Sequence, residues 1–324
     1  MIRLEDVRMY FRSRKGLFST VEVKAVDGVS ISIDQGKTLA LVGESGSGKT
    51  TLGRLTLRLL QPTAGRVFFE DLDITSLNES HLKSFRKRAQ AVFQDPYSSI
   101  DPFMNVYQIV EEPLVIHSVG DRDERRDLVY KTLEDVRLTP PQEVAKKYPH
   151  MLSGGQRQRV GIARALILNP EYIVTDEPVS MIDASSRVEI LHLLRSLQKK
   201  YSITFLYITH DIATAKYFSD KIAVMYGGRI VEIGPSEKIV KEPLHPYTTR
   251  LIASVPEPDP SNRFKERGVV EGEPPSAVDI PPGCRFEPRC PTSDKGTCDA
   301  EEPTLIEVKP DHYVACFIEE GRKS

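Results

Sequence analysis

Apolar and polar residues along the chain follow two periods, and the switches between them mark out the elements. The short apolar runs "TLALVG", "EYIVTDEP", "ITFLYITH" and "KIAVMYGGRI" read as strands, and "TTLGRLTLRLL", "RVEILHLLRSLQKK" and "IATAKYFSD" between them place apolar residues at helical spacing. This alternation predicts an α/β fold, a sheet covered by helices. Between about residues 95 and 165 the pattern turns mainly helical, as in "ERRDLVYKTLEDVRL" and "QRQRVGIARALIL", so a helical insertion into the α/β unit is expected. Beyond Pro235 the periodicity fades, and 14 of the 23 prolines lie from there to the C-terminus. A boundary near residue 235 follows, dividing the chain into 1–235 and a small proline-rich C-terminal domain, 236–324. No internal repeat is visible, and no heptad run is long enough for a coiled coil.

Composition sharpens this picture only slightly. A chain of 324 residues with 40% hydrophobic content fills the core of one large domain or two moderate ones. Forty-four Lys and Arg against 46 Asp and Glu leave a formal charge of −2, so the overall balance gives no hint of nucleic acid or an anionic membrane as a partner. No apolar run approaches the roughly 20 residues that span a bilayer. The opening "MIRLEDVRMYFRSRKG" lacks the apolar core of a signal peptide, and a cytoplasmic location is expected. All four cysteines fall after residue 283, and in a reducing compartment they do not predict a disulfide framework.

The candidate chemistry begins at Gly43-Glu44-Ser45-Gly46-Ser47-Gly48-Lys49-Thr50, which fits G-x-x-x-x-G-K-[ST]. In such a P-loop the glycines let backbone N–H groups curl around phosphate oxygens, and the helix that opens near Gly48 adds its positive end. Lys49 reaches the β and γ phosphates, Thr50 is placed to ligate Mg²⁺, and Thr51 follows it in the helix. The alternatives are a glycine-rich turn that binds nothing and a P-loop kinase, since the motif does not say where the γ-phosphoryl group goes. "YIVTDEP" ends a strand in Asp176-Glu177, which sets two carboxylates at the C-terminal edge of the sheet, where α/β folds bind ligands. Asp176 suits the Mg²⁺ shell and Glu177 suits a base that orients water; a helix cap or solvated turn is the plain alternative. "FLYITHD" places His210 just past another strand, within reach of a γ-phosphate, although a lone histidine there usually has no such role. "MLSGGQRQRVGIARAL" opens a helix at Ser153-Gly154-Gly155, a second anion-friendly N-terminus. One nucleotide does not need two such termini from a single compact domain, and the expected solution is a dimer in which each chain's "LSGGQ" completes the other's P-loop.

With these residues in place, the chain resembles, over essentially its whole length, the ATP-binding subunits of ABC transporters, in particular the dipeptide/oligopeptide branch. "GESGSGKTT" is similar to that family's Walker A, "FQDPYSS" to its Q-loop with Gln94, "LSGGQRQR" to its signature, "IVTDEP" to its Walker B and "ITHD" to its H-loop. "HPYTTRLIASVP" and the cysteine-bearing tail resemble the oligopeptide branch. The resemblance implies ATP and Mg²⁺ as cofactors, with Gln94 joining Thr50 and Asp176 at the metal. It further implies nucleotide contacts from Gly43, Ser45, Gly46, Gly48, Lys49, Thr50 and Thr51, and from Ser153, Gly154, Gly155, Gln156 and Asp183. Phe11 matches the aromatic that stacks on adenine, with Tyr10 as the competing choice and a core role as the alternative. Two departures are mild: Ser180-Met181-Ile182-Asp183 stands where S-A-L-D is usual, and Thr175 replaces an aliphatic residue before Asp176.

The same resemblance implies a peripheral ATPase on the cytoplasmic face of the membrane. It would work with two permease subunits, an external solute-binding protein and a second ATP-binding subunit, in a heterodimer or a homodimer. Peptides are the branch's usual cargo, with nickel and oligosaccharides carried by similar proteins. A soluble ABC ATPase is the competing reading, and a simple phosphotransferase leaves the "LSGGQ" helix unexplained. Cys284, Cys290, Cys298 and Cys316 are spaced C-x5-C-x7-C-x17-C, unlike the C-x2 to C-x4 pairs of structural zinc sites. A [4Fe-4S] cluster tolerates irregular spacing, and related tails carry one; zinc and unmetallated thiols stay open beside it.

Overall fold

The computed structural model describes residues 1–15, 19–95, 99–254, 277–278 and 280–317. The proline-rich runs "VPEPDPSNRF" and "EGEPPS", and the "PYS" of "FQDPYSS", lie outside the described residues. In chain order the elements begin with β1 (Ile2–Lys15), β2 (Ser19–Ile33), β3 (Thr38–Val42), α1 (Lys49–Thr56), β4 (Ala64–Phe69), β5 (Leu72–Asp73), α2 (Glu79–Arg88) and β6 (Ala89–Val92). The helices α3 (Val106–Ile116), α4 (Arg122–Asp135), α5 (Pro141–Val144) and α6 (Gly154–Leu166) follow, then β7 (Tyr172–Asp176), α7 (Ala184–Tyr201), β8 (Thr204–Thr209) and α8 (Ile212–Phe218). The rest are β9 (Lys221–Tyr226), β10 (Arg229–Pro235), α9 (Ser236–Lys241), α10 (Pro246–Ala253), β11 (Ile306–Lys309) and β12 (His312–Val314). These elements form two compact units that interleave in sequence, one of Met1–Ser32, Thr38–Thr75 and Ile208–Ser324, the other of Ile33–Lys37 and Ser76–Tyr207.

In the first unit a four-stranded sheet runs in the order β2-β1-β4-β5. Antiparallel pairing sets Ile2 against Phe69 and Leu4 against Val67, so the buried face of β1 meets the buried face of β4 while Arg3 and Glu5 stay outside. A second set of strands runs β11-β12-β10-β9-β3. All five residues of β3 are buried, as befits a strand that pairs in parallel with β9 and carries the apolar run "TLALV". Gly227 and Gly228, both at positive φ, turn β9 back into β10. The tail then extends the set, because β12 pairs with β10 and β11 with β12. Phe286 anchors the tail: it is buried and lies 5.3 Å from the Tyr226 ring, 5.4 Å from Tyr247 and 5.8 Å from His245.

In the second unit the strands run β8-β7-β6, and β6 and β7 pair in parallel. The stretch that reads as helical carries α3 to α6, with α6 packed on α3, α4, β6 and α7. Local chemistry starts each long helix: Asn105 with Gln108, Asp121 with Glu124 and Ser153 with Gln156 form capping boxes, and Asp183 caps α7.

A polar cluster is buried within the first unit. Glu232, on β10, has no exposed surface and accepts N–H bonds from Leu244 and His245, each at 2.9 Å. Its Oε1 also lies 2.7 Å from Nε2 of the buried His312. Nδ1 of His245 accepts the Tyr247 N–H at 3.0 Å, which makes that ring a neutral helix cap for α10. Burial lowers the His245 pKa to about 4, with the Glu232 charge opposing the shift. The folded value is therefore depressed below the unfolded one, so the unfolded chain takes up the proton first as pH falls. Stability from this group is complete above about pH 6.5 and is lost between 6.5 and 4, by roughly 3 kcal/mol at the low end. His245→Asn keeps a capping acceptor without a titrating ring, and its urea unfolding free energy is expected to fall less steeply over that pH window than the parent's. Equal pH slopes in the two proteins would show that His245 titrates in the fold as it does in water.

Candidate nucleotide site

The loop between β3 and α1 is shaped by what crowds it. A Cβ on Gly43 would lie 2.1 Å from the Met225 carbonyl oxygen, and one on Gly48, at φ +103°, would lie 2.1 Å from that of Ala25. No other residue fits either position without moving backbone. Lys49, only 6% exposed, donates from Nζ to the carbonyls of Gly43 and Glu44, both at 2.7 Å, and to Ser47 Oγ at 3.3 Å. The N-cap of helix α1 is Gly48, which has no side chain to cap the first turn. Ser45 and Gly46 are exposed at the loop tip, and Thr50 and Thr51 are part-buried. A cation drawn into the loop and an uncapped helix start together suit a polyphosphate.

Two features beside this loop escaped the sequence reading. The Glu44 carboxylate receives both terminal nitrogens of Arg289, at 2.8 and 3.1 Å, and the Glu44 N–H donates to the Tyr247 hydroxyl at 2.9 Å. An ionisable residue in the apolar strand "RIVEIGP", Glu232, was the visible sign of the cluster that orders Tyr247.

In the second unit, β7 delivers Asp176, which is buried, and then Glu177, whose backbone sits at φ +45°. A non-glycine residue held there carries strain of about 1–3 kcal/mol, a cost concentrated at functional sites. Gln94 Nε2 donates to Glu177 Oε2 at 3.1 Å, which joins the Q-loop stretch to the carboxylate. Thr175 is fully buried, and its hydroxyl makes no hydrogen bond among the described residues. Asp183 accepts from Ser185 Oγ at 2.5 Å and from the Ser186 N–H at 2.8 Å, and these bonds hold its carboxyl well below the usual range.

The signature segment opens α6 through its own side chains. Ser153 Oγ accepts the Gln156 N–H at 3.3 Å, and Gln156 Oε1 accepts the Ser153 N–H at 3.1 Å. A Cβ on Gly154 would lie 3.7 Å from Ile182, and one on Gly155 would come within 3.2 Å of Ser186 Oγ. A polar cavity of about 240 Å³ adjoins this helix start, lined by Ser153, Gly155, Gln156, Arg159, Ser186 and Glu189 among others.

Three further positions complete the placement. Phe11 on β1 is 37% exposed, whereas Tyr10, on the opposite face of the strand, gives its hydroxyl to Asp27. His210 is exposed, directly after β8. Cys284 and Cys290 are part-buried, and Cys298 and Cys316 are buried. Among the described residues no group of three or more His, Cys, Asp or Glu side chains is placed to hold a metal ion. Burial pushes the Cys284 thiol up to about 11, a backbone hydrogen bond at Phe286 opposes this, and Cys316, Cys298 and Cys290 add to the rise. Cys290 Sγ lies 3.5 Å from the Thr292 hydroxyl.

Comparison with known proteins agrees with this geometry. The ABC transporter family profile matches residues 26–180, and the profile of the oligopeptide/dipeptide transporter C-terminal region matches residues 231–298. The chain is 44% identical to the oligopeptide transport ATP-binding protein AppF of Bacillus subtilis, over 98% of this chain and 97% of that protein. It is 45% identical to a putative peptide import ATP-binding protein of Brucella ovis, over 91% of this chain and 92% of the other. The ATP-binding cassette MJ0796, solved as a dimer bound to ADP and Pi, superposes with a TM-score of 0.64 at 29% identity, covering 73% of this chain and 99% of the cassette. CbiO1 of Clostridium perfringens, part of an ABC transporter complex, gives 0.65 at 29% identity, covering 74% and 90%. With a cassette fold, an ABC profile and relatives aligned from end to end, this chain belongs to the ATP-hydrolysing ATP-binding subunits of the ABC transporter family, in the group that carries the oligopeptide/dipeptide transporter C-terminal region.

Proposed function

We propose that the chain is the ATP-hydrolysing subunit of an importer for oligopeptides or a related solute, working at the cytoplasmic face of a membrane. The names of its relatives support the cargo class, and no helix among the described residues is long and apolar enough to cross a membrane, so the permease is a separate pair of subunits. A solute-binding protein and a second ATP-binding subunit, identical or different, complete the assembly; the cassette dimer of MJ0796 supports the pairing of ATPases. The cassette occupies residues 1–235 and the extension 236–324.

The observation that carries the catalytic reading is Glu177, strained at the end of β7 with Gln94 on its carboxylate. In this reading Glu177 orients and deprotonates the attacking water, and Gln94 reports the state of the γ-phosphate to the helical region. Mg²⁺, when bound, neutralises phosphate charge, with Thr50, Asp176 and Gln94 as the residues to hold it. Lys49 exchanges its loop carbonyls for phosphate oxygens, Phe11 stacks on the adenine, and His210 contacts the γ-phosphate. Ser153, Gly154, Gly155, Gln156 and Asp183 serve the partner subunit's nucleotide. A [4Fe-4S] cluster on Cys284, Cys290, Cys298 and Cys316 is supported only by spacing and by the mutual influence of the four thiols. Iron analysis of protein purified without oxygen decides it: about four irons per chain establishes the cluster, and none excludes it.

Glu177→Gln is expected to bind ATP as the parent does and to lose hydrolysis by about 10²–10⁴-fold in the assembled transporter, because the water loses its acceptor while the phosphate site stays intact. Near-normal turnover would remove Glu177 from this role. Ser153→Ala with Gly155→Asp, placed in one subunit of a mixed pair, is expected to stop hydrolysis at the partner's P-loop and spare its own. Damage confined to the mutated subunit's own site would contradict the trans arrangement.

A further inference from the structure

Glu44 is an awkward residue for its place. It sits at the second position of the P-loop, and its carboxylate brings negative charge to a loop whose N–H groups serve phosphates. The first unit answers that charge with residues far away in the chain. Arg289 meets both oxygens of Glu44 in a two-pronged pair, and its side chain is only 6% exposed. The guanidinium is held in turn by the Tyr226 hydroxyl, which accepts from Nη1 at 3.1 Å, and it lies 5.8 Å from that ring's centre. The fully buried Tyr247 takes the Glu44 N–H, and its ring lies 4.6 Å from Tyr226. Four residues before Arg289, Arg285 donates to the Gly227 carbonyl and pairs with Asp27, while the Gly228 N–H donates to the Ser47 carbonyl at 3.0 Å. The extension thus reaches the loop at a side chain, at an N–H and, through the Gly227-Gly228 turn, at a carbonyl.

We propose that Arg289 and Tyr247 are positioning residues of the ATP site: Arg289 cancels the charge of the Glu44 carboxylate and Tyr247 holds the residue 44 N–H, so that the P-loop reaches its full affinity for phosphate only with the C-terminal extension in place. The proposal rests on the nucleotide reading of the P-loop given above. In an ordinary structural role, losing Arg289 would merely loosen the tail. In a positioning role its loss leaves a bare carboxylate beside the phosphates, and that harm disappears once the carboxylate itself is removed.

The test is ATP binding to the full chain by calorimetry, with thermal unfolding as the control for folding. Arg289→Ala is expected to weaken ATP binding about tenfold, the value of a lost charge-assisted pair. Glu44→Ala alone should stay within about threefold of the parent, and the double variant should return to the Glu44→Ala value. Tyr247→Phe removes only the hydroxyl and is expected to weaken binding about threefold; it serves if Arg289→Ala does not fold. Binding by Arg289→Ala within about twofold of the parent would overturn the proposal, as would a defect that persists undiminished in the double variant. If Arg289→Ala does not fold, parent-like binding by Tyr247→Phe overturns it. Lys49→Ala separates the two ideas, since parent-like ATP binding by that variant would sink the nucleotide reading itself, whatever Arg289 does.

Discussion

A loop that offers its N–H groups to an anion cannot be held in place by those same groups. Everything around residues 43–50 follows from that constraint. The loop is fixed through its other atoms: the Ser47 carbonyl takes the Gly228 N–H, and the Gly43 and Glu44 carbonyls take the Lys49 ammonium. The absent side chains of Gly43 and Gly48 let the carbonyls of Met225 and Ala25 press close. Each contact spends an acceptor, or no polar group at all, and leaves most of the loop's donors for phosphate. Two N–H groups are spent within the protein: that of Glu44 goes to the Tyr247 hydroxyl, and that of Ser47 goes to the Glu44 carbonyl at 3.3 Å. The position that follows Gly43 therefore belongs to the protein rather than to the ligand.

The second unit solves a different problem by different means. In its proposed role Glu177 has to be aimed at water, and it is held by a positive-φ backbone and by the amide of Gln94. The strain is sustained by neighbours that overdetermine the turn: Ser180 returns both its N–H and its hydroxyl to the Glu177 carbonyl. The next turn is capped by Asp183, whose carboxylate is committed to Ser185 and Ser186. Replacement of S-A-L-D by Ser180-Met181-Ile182-Asp183 preserves both anchoring residues, and Ile182 packs near Gly154 at the head of the signature helix. The Thr175 hydroxyl is buried without a hydrogen bond among the described residues, and nothing in the structure explains the substitution.

Local order was legible in the sequence wherever the chemistry is local. The P-loop, the strand that ends in Asp176-Glu177 and the helix start at Ser153-Gly154-Gly155 are each written within a few residues, because turns, helix starts and buried strands obey short-range rules. The antiparallel sheet of β1, β2, β4 and β5 was harder to see. Its strands are buried on one face only, and charged residues such as Arg3, Glu5 and Arg8 dilute the apolar pattern. The tail strands β11 and β12 are short and proline-flanked, and they become strands by pairing with β10 rather than by their own pattern. The cysteine spacing carried too little to decide ligation, because ligation depends on where distant backbone segments bring the sulfurs and not on how many residues part them.

The contact between Arg289 and Glu44 spans 245 residues and left no trace in either local sequence. Its consequence is a linkage. If anion binding at the loop is favoured by the pairing of Glu44 with Arg289, the bound anion favours that pairing by the same free energy. The extension is held by the packing of Phe286 on Tyr226, Tyr247 and His245, and by the ion pairs of Arg285 with Asp27 and Glu302. Anything that strengthens this packing raises the share of chains whose P-loop is ready for phosphate, and phosphate in turn tightens the tail. A segment that takes no part in hydrolysis thereby shares in setting nucleotide affinity, and the negative charge that looks misplaced in the loop is what makes the extension necessary.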